Sequence, residues 1–217
     1  MTDTASTTAI SFAPSELVVL FGDRFVPAAG LLGYKEEVLT SGTKVATDKL
    51  MNAAVGAALW AVHRSGAATR HVQFLGLHEA EERLALADLQ RGGGPAEFPA
   101  HSLEAYIVEA AAAGPEVQKL LESYIGNEVS DPAGHTLGRI KAGMAERGVL
   151  EVEKRTSMKV FTTSHFVLPA STRAAAEGAT LDPVHALLRG AEREPGLGKM
   201  VQGAIDGARV MMTESSD

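Results

Sequence analysis

The chain has 217 residues, of which 45% are apolar and 22% are charged. This length and composition are typical of one soluble globular domain with a large core, and the absence of cysteine excludes a disulfide framework and a thiolate site. The formal net charge of −7 disfavours non-specific nucleic-acid binding by the molecule as a whole.

Three regions are predicted along the chain: a flexible tail at 1–12, a single helical domain at 13–212 and a frayed tail at 213–217. The N-terminus lacks the basic start and apolar core of a signal peptide. The longest nearly apolar run, 53–62, is far shorter than the roughly 20 residues that a membrane-spanning helix needs. We therefore predict a cytoplasmic protein, with any membrane contact peripheral and at the inner membrane face.

The first part of the chain mixes apolar and turn-forming residues. Residues 15–21 (SELVVLF) form an apolar run that fits either a strand or one buried helical turn. Residues 22–23 and 27–33 are predicted to be loop, and the charged residues 35–37 a solvated surface patch.

Residues 49–64 are predicted to form the central helix, capped by Asp48 or Thr47 and ended near Gly66. The stretch 53–62 is apolar almost all round, which indicates burial on several sides. Trp60, the only tryptophan, is interpreted as a core anchor rather than as a ligand-stacking residue.

The middle of the chain is predicted to contain a strand at 70–77 and helices at 79–90, 102–112 and 115–125. The glycine run at 92–95 has no strand before it and no helix after it, so we interpret it as a loop and not as a dinucleotide-binding motif.

A further helix is predicted from 132 to 147. Asp131 suits its N-cap, Pro132 suits its first position, and Gly148 can adopt the left-handed conformation that ends a helix. Its apolar stripe consists of Leu137, Ile140 and Met144.

Two β-prone runs around a short polar link make 149–168 a predicted β-hairpin, with Lys154 and Arg155 at its tip. Helices are predicted at 171–177, 183–193 and 197–212. The predicted fold is therefore mainly α: a single-domain helical bundle around a buried central helix, with a β-hairpin following a helix.

The sequence carries no recognisable catalytic motif. His78-Glu79 lacks the second histidine of a zinc helix, and Ser164 and His165 would point to opposite faces of a strand. No Walker loop or Gly-x-Ser-x-Gly motif is present. We predict no enzyme activity, no metal and no cofactor.

Residues 139–159 contain six Lys or Arg residues against three Glu, a local excess of positive charge in an acidic chain. On a helical wheel, Arg139 lies opposite the apolar stripe and should face outward or towards a neighbour. The cluster could attract an anionic lipid head group or membrane surface, or it could be a solvated face. A helix followed by a basic hairpin also suggests a winged-helix DNA-binding protein, which the net charge disfavours.

The segment 139–168 (RIKAGMAERGVLEVEKRTSMKVFTTSHFVL) resembles the Golgi phosphoprotein 3 family, and AALWAVHRSGAA resembles that family's first long core helix. The resemblance implies a bacterial relative, and the heavy use of Ala, Gly and Val suits a high-GC bacterium. The matching residues of the first segment are Glu146, Arg147, Gly148, Val149, Leu150, Glu153, Lys154, Phe161, Thr162, Thr163 and His165.

The resemblance implies a non-catalytic, peripheral adaptor that binds phosphatidylinositol 4-phosphate and self-associates through the hairpin. The family's phosphate-binding arginines correspond here to Val55, Gly134 and Leu137, so the head-group pocket should be absent or rebuilt. Candidate anion-binding residues are Lys44, Lys49, Arg139 and Lys141. Candidate oligomerisation residues are Val152, Lys154, Arg155, Met158, Val160 and Phe161. The alternatives are a winged-helix DNA-binding protein and a scaffold that binds only protein.

Overall fold

The computed structural model describes residues 10–31, 33–65, 98–111, 113, 116–126, 129–157, 161–193 and 195–214. The predicted strand at 70–77, the predicted helix at 79–90 and the glycine loop at 92–95 lie outside the described residues.

The described part of the chain is mainly α and contains the β-hairpin that the sequence predicts, together with a second small antiparallel sheet that was not predicted. The helices are α1 (Pro14–Leu20), α2 (Gly22–Phe25), α3 (Thr47–Ser65), α4 (Leu103–Ala111), α5 (Val117–Ile125), α6 (Pro132–Glu146), α7 (Ala170–Glu177), α8 (Asp182–Glu192) and α9 (Pro195–Glu214). The strands are β1 (Lys35–Glu37), β2 (Lys44–Ala46), β3 (Glu151–Ser157) and β4 (Phe161–Val167).

The predicted central helix is confirmed as α3. It packs against α1, α4, α6, α8 and α9, and Leu50, Met51 and Ala54 are fully buried. Trp60 packs against the core, as predicted. Its indole lies so close to α8 that a Cβ atom at Gly190 would be 2.2 Å from the Trp60 Nε1. The approach of α3 and α8 therefore depends on a glycine at this position.

The apolar run at 15–21, for which the sequence allowed a strand or a buried helical turn, is helical and belongs to α1. Two buried carboxylates, Glu104 and Glu16, connect α1 to its neighbours. The backbone N–H and the hydroxyl of Ser15 donate hydrogen bonds of 2.8 and 2.7 Å to the Glu104 carboxylate of α4. Glu16 accepts from the Ala13 backbone N–H and pairs with Arg147 at the end of α6. These buried polar contacts therefore join α1 to α4 and to the C-terminal end of α6.

The predicted N-terminal tail contacts the body at its end. Phe12 packs against the core, and the Ser11 carbonyl accepts a 3.0 Å hydrogen bond from Arg147. Residues 1–9 lie outside the described residues.

Residues 35–37 form strand β1, which pairs with β2 so that Glu36 lies opposite Val45 and Glu37 opposite Lys44. Lys35 and Glu37 are exposed, as a surface patch requires, whereas Glu36 accepts a hydrogen bond from Lys141 of α6. Residues 22–25, part of which was predicted to be loop, form the short helix α2.

Helix α6 begins and ends as its sequence predicts. The Asp131 carboxylate accepts a 2.9 Å hydrogen bond from the Gly134 N–H, and Pro132 occupies the first turn. The predicted stripe is fully buried, and Gly148 has a φ of +72°, in the left-handed region. The helix therefore stops where the chain turns into the hairpin.

The predicted hairpin is confirmed as the antiparallel pair β3–β4. Its predicted tip is wrong: Lys154 pairs with Ser164 and Arg155 with Thr163 inside the ladder, which continues to Ser157 opposite Phe161. The polar residues 154–157 extend the first strand because strand pairing satisfies their backbone groups, whatever their side chains prefer. Val149, Leu150 and Leu168 anchor the base of the hairpin in the core.

The three C-terminal helices complete the bundle, with α8 against α3 and α9 against α5. Each lies within two residues of its predicted bounds. Gly178 follows α7 as predicted, but with a φ of −78° in the right-handed region, so it ends the helix without the left-handed turn.

Candidate functional site

The candidate anion-binding residues are spread over several surfaces. Lys141 is almost buried, and its ammonium forms an ion pair with Glu36 of β1. Lys44 is exposed on β2, opposite Glu37. Lys49 and Arg139 line two clefts that share no residue.

Arg139 faces its neighbours, one of the two orientations that its position on the helical wheel allows, and does not point freely outward. Its guanidinium donates to the Tyr124 carbonyl, and its Cζ lies 4.3 Å from the Tyr124 ring centroid and 5.9 Å from that of Tyr106. Such contacts between a cation and aromatic faces are attractive, particularly when partly shielded from water. Arg139 therefore contributes to the packing of α4, α5 and α6.

The cleft beside Arg139 has a volume of about 280 Å³ and also contains Glu109 and Glu146. His101, at its edge, has a φ of +60°, and its Nδ1 lies 2.9 Å from a Glu146 carboxylate oxygen. The cleft carries both signs of charge, so it has no excess of positive charge for an anion.

Lys49 lies at the first turn of α3 and lines a larger cleft of about 460 Å³ between α3, α8 and α9. Within the described chain it has no ion-pair partner. Of the four candidate cations, Lys49 and Lys44 are the two left available to a ligand.

The candidate oligomerisation residues lie on a hairpin that stands away from the helices. Neither strand packs extensively against another described element, apart from its partner strand. Val152 is 49% exposed and Lys154 is exposed. Arg155 and Phe161 are strand residues by their backbones, and Met158 and Val160 lie outside the described residues.

An exposed apolar segment lies beside the β1–β2 sheet, where sequence reasoning placed only a loop. Leu31 is 96% exposed and Tyr34 is 73% exposed. Lys35 follows directly, and Lys44 lies on the paired strand. The signal available in the sequence was Leu31-Leu32-Gly33-Tyr34, an apolar cluster at the end of the loop predicted at 27–33.

The buried carboxylates Glu16 and Glu104 were also missed. Burial raises the pKa of Glu104 to about 7, against weaker opposing effects of its hydrogen bonds to Ser15. Burial likewise raises the pKa of Glu16, although Ala13 and Arg147 stabilise its charged form. Glu104 occupies the apolar face of α4, three residues before Ile107, so an acid at that helical position was the signal.

The positions at which the family resemblance places phosphate-binding arginines are structural here. Val55 and Leu137 are buried in the core. A Cβ atom at Gly134 would lie 2.3 Å from an Asp131 carboxylate oxygen, because the backbone of Gly134 is occupied in capping α6. These three residues build no head-group pocket.

No group of three or more His, Cys, Asp or Glu side chains in the described part of the chain is arranged to hold a metal ion. None of the described helices is long and apolar enough to cross a bilayer. Comparisons of the chain with protein-family models, with curated proteins and with solved structures found no match.

Proposed function

We propose that this protein is a non-catalytic adaptor that self-associates through its β3–β4 hairpin and contacts anionic membranes peripherally. The proposal combines the family resemblance of residues 139–168 with two surfaces of the molecule. One is the hairpin, and the other is the edge of the β1–β2 sheet.

The hairpin carries the proposal. An isolated two-stranded hairpin is marginally stable in water, and this one receives little support from the helices beyond its base. Val152 leaves half of its side chain in water although it lies in a strand. Pairing with a second copy would bury such apolar surface and would protect the strand edges.

Sedimentation velocity of the full chain tests self-association. We expect a multiple of the 22.7 kDa chain mass for the wild type and for Ser123→Lys, which adds the same charge at an exposed position of α5. Val152→Lys, and a deletion of residues 153–163, should sediment as monomers. A wild type with the same monomer mass as the deletion variant would refute this part of the proposal.

The β1–β2 edge supports the membrane half of the proposal. Leu31 can enter the interfacial region of a bilayer, and tyrosine is favoured at that depth. The exposed Lys35 and Lys44 lie beside these residues, and each lysine near an anionic surface contributes roughly 1 kcal/mol. The exposed Glu37, opposite Lys44, offsets part of this attraction.

Flotation with vesicles tests this surface at about 0.1 M salt, where local charges still act. The vesicles contain phosphatidylcholine with either phosphatidylglycerol or phosphatidylinositol 4-phosphate. Leu31→Ser and Lys44→Glu should reduce the bound fraction. Lys119→Glu makes the same charge change as Lys44→Glu at an exposed lysine of α5, and it should bind as the wild type does. No binding of the wild type to either vesicle would refute the membrane half.

No observation of comparable weight favours the winged-helix alternative. Arg139, the residue expected to contact DNA, is held by Tyr124 and Tyr106. If the chain nevertheless binds duplex DNA in a salt-sensitive way that Lys154→Ala weakens, the DNA-binding alternative replaces the adaptor. If neither vesicles nor DNA are bound, a scaffold that binds only protein remains.

A further inference from the structure

The cleft beside Lys49 is an amphipathic concavity of about 460 Å³. This volume lies within the range of roughly 300–1,000 Å³ in which proteins hold small molecules. Its walls come from four segments: α2 and the residue after it, α3, α8 and α9. The lining residues are Phe25, Val26, Lys49, Asn52, Ala53, Gly56, Leu188, Ala191, Glu192, Gly198 and Val201.

The apolar and polar residues that line the cleft differ in their exposure to solvent. The buried wall residues Gly56, Ala191 and Val201 are apolar. The exposed residues at the mouth include Lys49, Asn52 and Glu192. A ligand that fits this arrangement has an apolar body and a polar head.

Helix α3 arranges the two kinds of surface along one face. Lys49, Asn52, Ala53 and Gly56 are spaced by three, four and seven residues from the first, so they lie on the same side of the helix. Lys49 and Asn52 stand at the N-terminal end of this stripe, and the small residues follow it into the cleft. A single helix face thus supplies both the donors for a head group and the space for an apolar chain.

Charge decides which head group fits. Lys49 has no ion-pair partner in the described part of the chain, and Asn52 adds a neutral amide that can donate hydrogen bonds. Glu192 shares the lining but forms no salt bridge with Lys49. An anionic head is therefore attracted to the α3 side of the mouth and repelled from the α8 side.

We propose that this cleft binds an amphipathic monoanion, of the class of long-chain carboxylates, with its head at Lys49 and Asn52 and its chain against Ala53, Gly56 and Val201. The site uses neither the hairpin nor the Leu31 segment. If this ligand proposal fails, the adaptor proposal is therefore unaffected. If the adaptor proposal fails, the ligand proposal is unaffected too.

The test measures displacement of fluorescent anilinonaphthalene sulfonate from the full chain by dodecanoate. Dodecanoate should bind more tightly than dodecanol, and Lys49→Glu should weaken dodecanoate about tenfold or more while changing dodecanol little. Glu192→Gln should strengthen dodecanoate binding several-fold because it removes the repulsion.

Gly198 offers a way to fill the cleft without disturbing the helix. A Cβ atom there meets no atom within 4 Å, so Gly198→Phe can place its ring in the opening and should abolish binding. Gly138 of α6 is equally free of neighbours and does not line this cleft, so Gly138→Phe should bind as the wild type does. Circular dichroism melts check that both variants fold.

Two results would overturn the proposal. Equal affinity for dodecanoate and dodecanol, unaffected by Lys49→Glu, would show that the head group is not recognised. Unchanged binding in the folded Gly198→Phe variant, or no displacement at all, would show that the ligand does not occupy this cleft.

Discussion

At the scale of single residues, Glu104 is a buried acid that forms no ion pair with any described residue. It is fully buried, and its two oxygens accept hydrogen bonds from the backbone and hydroxyl of Ser15. Burial, with a smaller contribution from the nearby Glu16 charge, raises its pKa from the ordinary value of 4.5 to about 7. Because burial penalises the charged carboxylate more than the Ser15 hydrogen bonds stabilise it, folding favours the protonated form.

The sign of the resulting pH dependence follows from the higher pKa in the folded state. Between about pH 4.5 and 7 the folded chain holds a proton that the unfolded chain has released, so this group's contribution to stability is lost as pH rises. The difference between a pKa of 4.5 and one of about 7 corresponds to about 3 kcal/mol. Glu104→Gln mimics the protonated acid and should remove this loss.

Urea unfolding at pH 5 and pH 8 checks this prediction. The free energy of unfolding of the wild type should fall more between the two pH values than that of Glu104→Gln, by an amount on the order of 3 kcal/mol. Ser123→Gln, at an exposed position, serves as the control and should follow the wild type. Parallel pH profiles for wild type and Glu104→Gln would show that the acid titrates as it does in water.

The contact of Trp60 with Gly190 gives a second prediction. An added methyl group at Gly190 would lie 2.2 Å from Nε1 and 2.8 Å from Cδ1 of the indole, so the ring or α8 must shift. Overpacking of this kind typically costs about 1–3 kcal/mol. Gly190→Ala should therefore lower the free energy of unfolding by that amount, followed through the fluorescence of the only tryptophan. An unchanged stability and emission maximum would mean that the two helices separate freely.

Trp60 as a core anchor could be predicted because a single large apolar side chain lay in a helix that was apolar on all sides. The contact of Trp60 with Gly190 could not be predicted, because Gly190 lies 130 residues further along the chain. The sequence of α8 does not indicate which of its faces meets α3. The same limit applies to Arg139. Its position on the helical wheel was correct, but the tyrosines that bind it come from α4 and α5.

At the scale of elements, the junction between α6 and the hairpin depends on the backbone conformation of Gly148. A Cβ atom there would meet nothing within 4 Å, and the same is true of Gly138 inside α6. The two positions differ in backbone conformation, because Gly148 has a φ of +72°. Comparison of their alanine variants therefore isolates the cost of the left-handed turn.

Gly148→Ala should lower the free energy of unfolding by roughly 1–2 kcal/mol, the cost of a left-handed residue with a side chain. Gly138→Ala should raise it by up to about 1 kcal/mol, since alanine favours a helix interior. Chemical denaturation of both variants measures the difference. Shifts of the same sign and size would indicate that the turn relaxes to a right-handed conformation.

The elements with strong local signals were predicted well. Asp131, Pro132 and Gly148 mark the ends of α6 by chemistry that operates within a few residues. The hairpin tip was misplaced because the polar residues 154–157 were interpreted as the link between the strands, whereas pairing with β4 extends β3 through them. The Lys49 cleft could not be predicted because its walls come from distant parts of the chain. The apolar segment at Leu31 is local, and its signal was present in the sequence.

At the scale of the whole molecule, a net charge of −7 opposes the approach to an anionic bilayer that Lys35 and Lys44 favour. The repulsion by the net charge and the attraction by the two lysines act over different distances from the membrane. A domain of this length has a radius of gyration of about 17 Å, so most of its charges lie farther from the surface than the sheet edge does. Salt screens the distant charges first.

Vesicle binding should therefore pass through a maximum as salt rises. At about 0.01 M the screening length is about 30 Å and the whole molecule is repelled, whereas at about 0.1 M it is about 10 Å and the local lysines dominate. At about 1 M the screening length is about 3 Å, and only the apolar contact of Leu31 and Tyr34 remains. Flotation with phosphatidylglycerol vesicles at the three salt concentrations measures this, with pure phosphatidylcholine vesicles as the control that should show no maximum. A steady fall from the lowest salt upward would mean that the molecule meets the membrane through a larger cationic face than the β1–β2 edge provides.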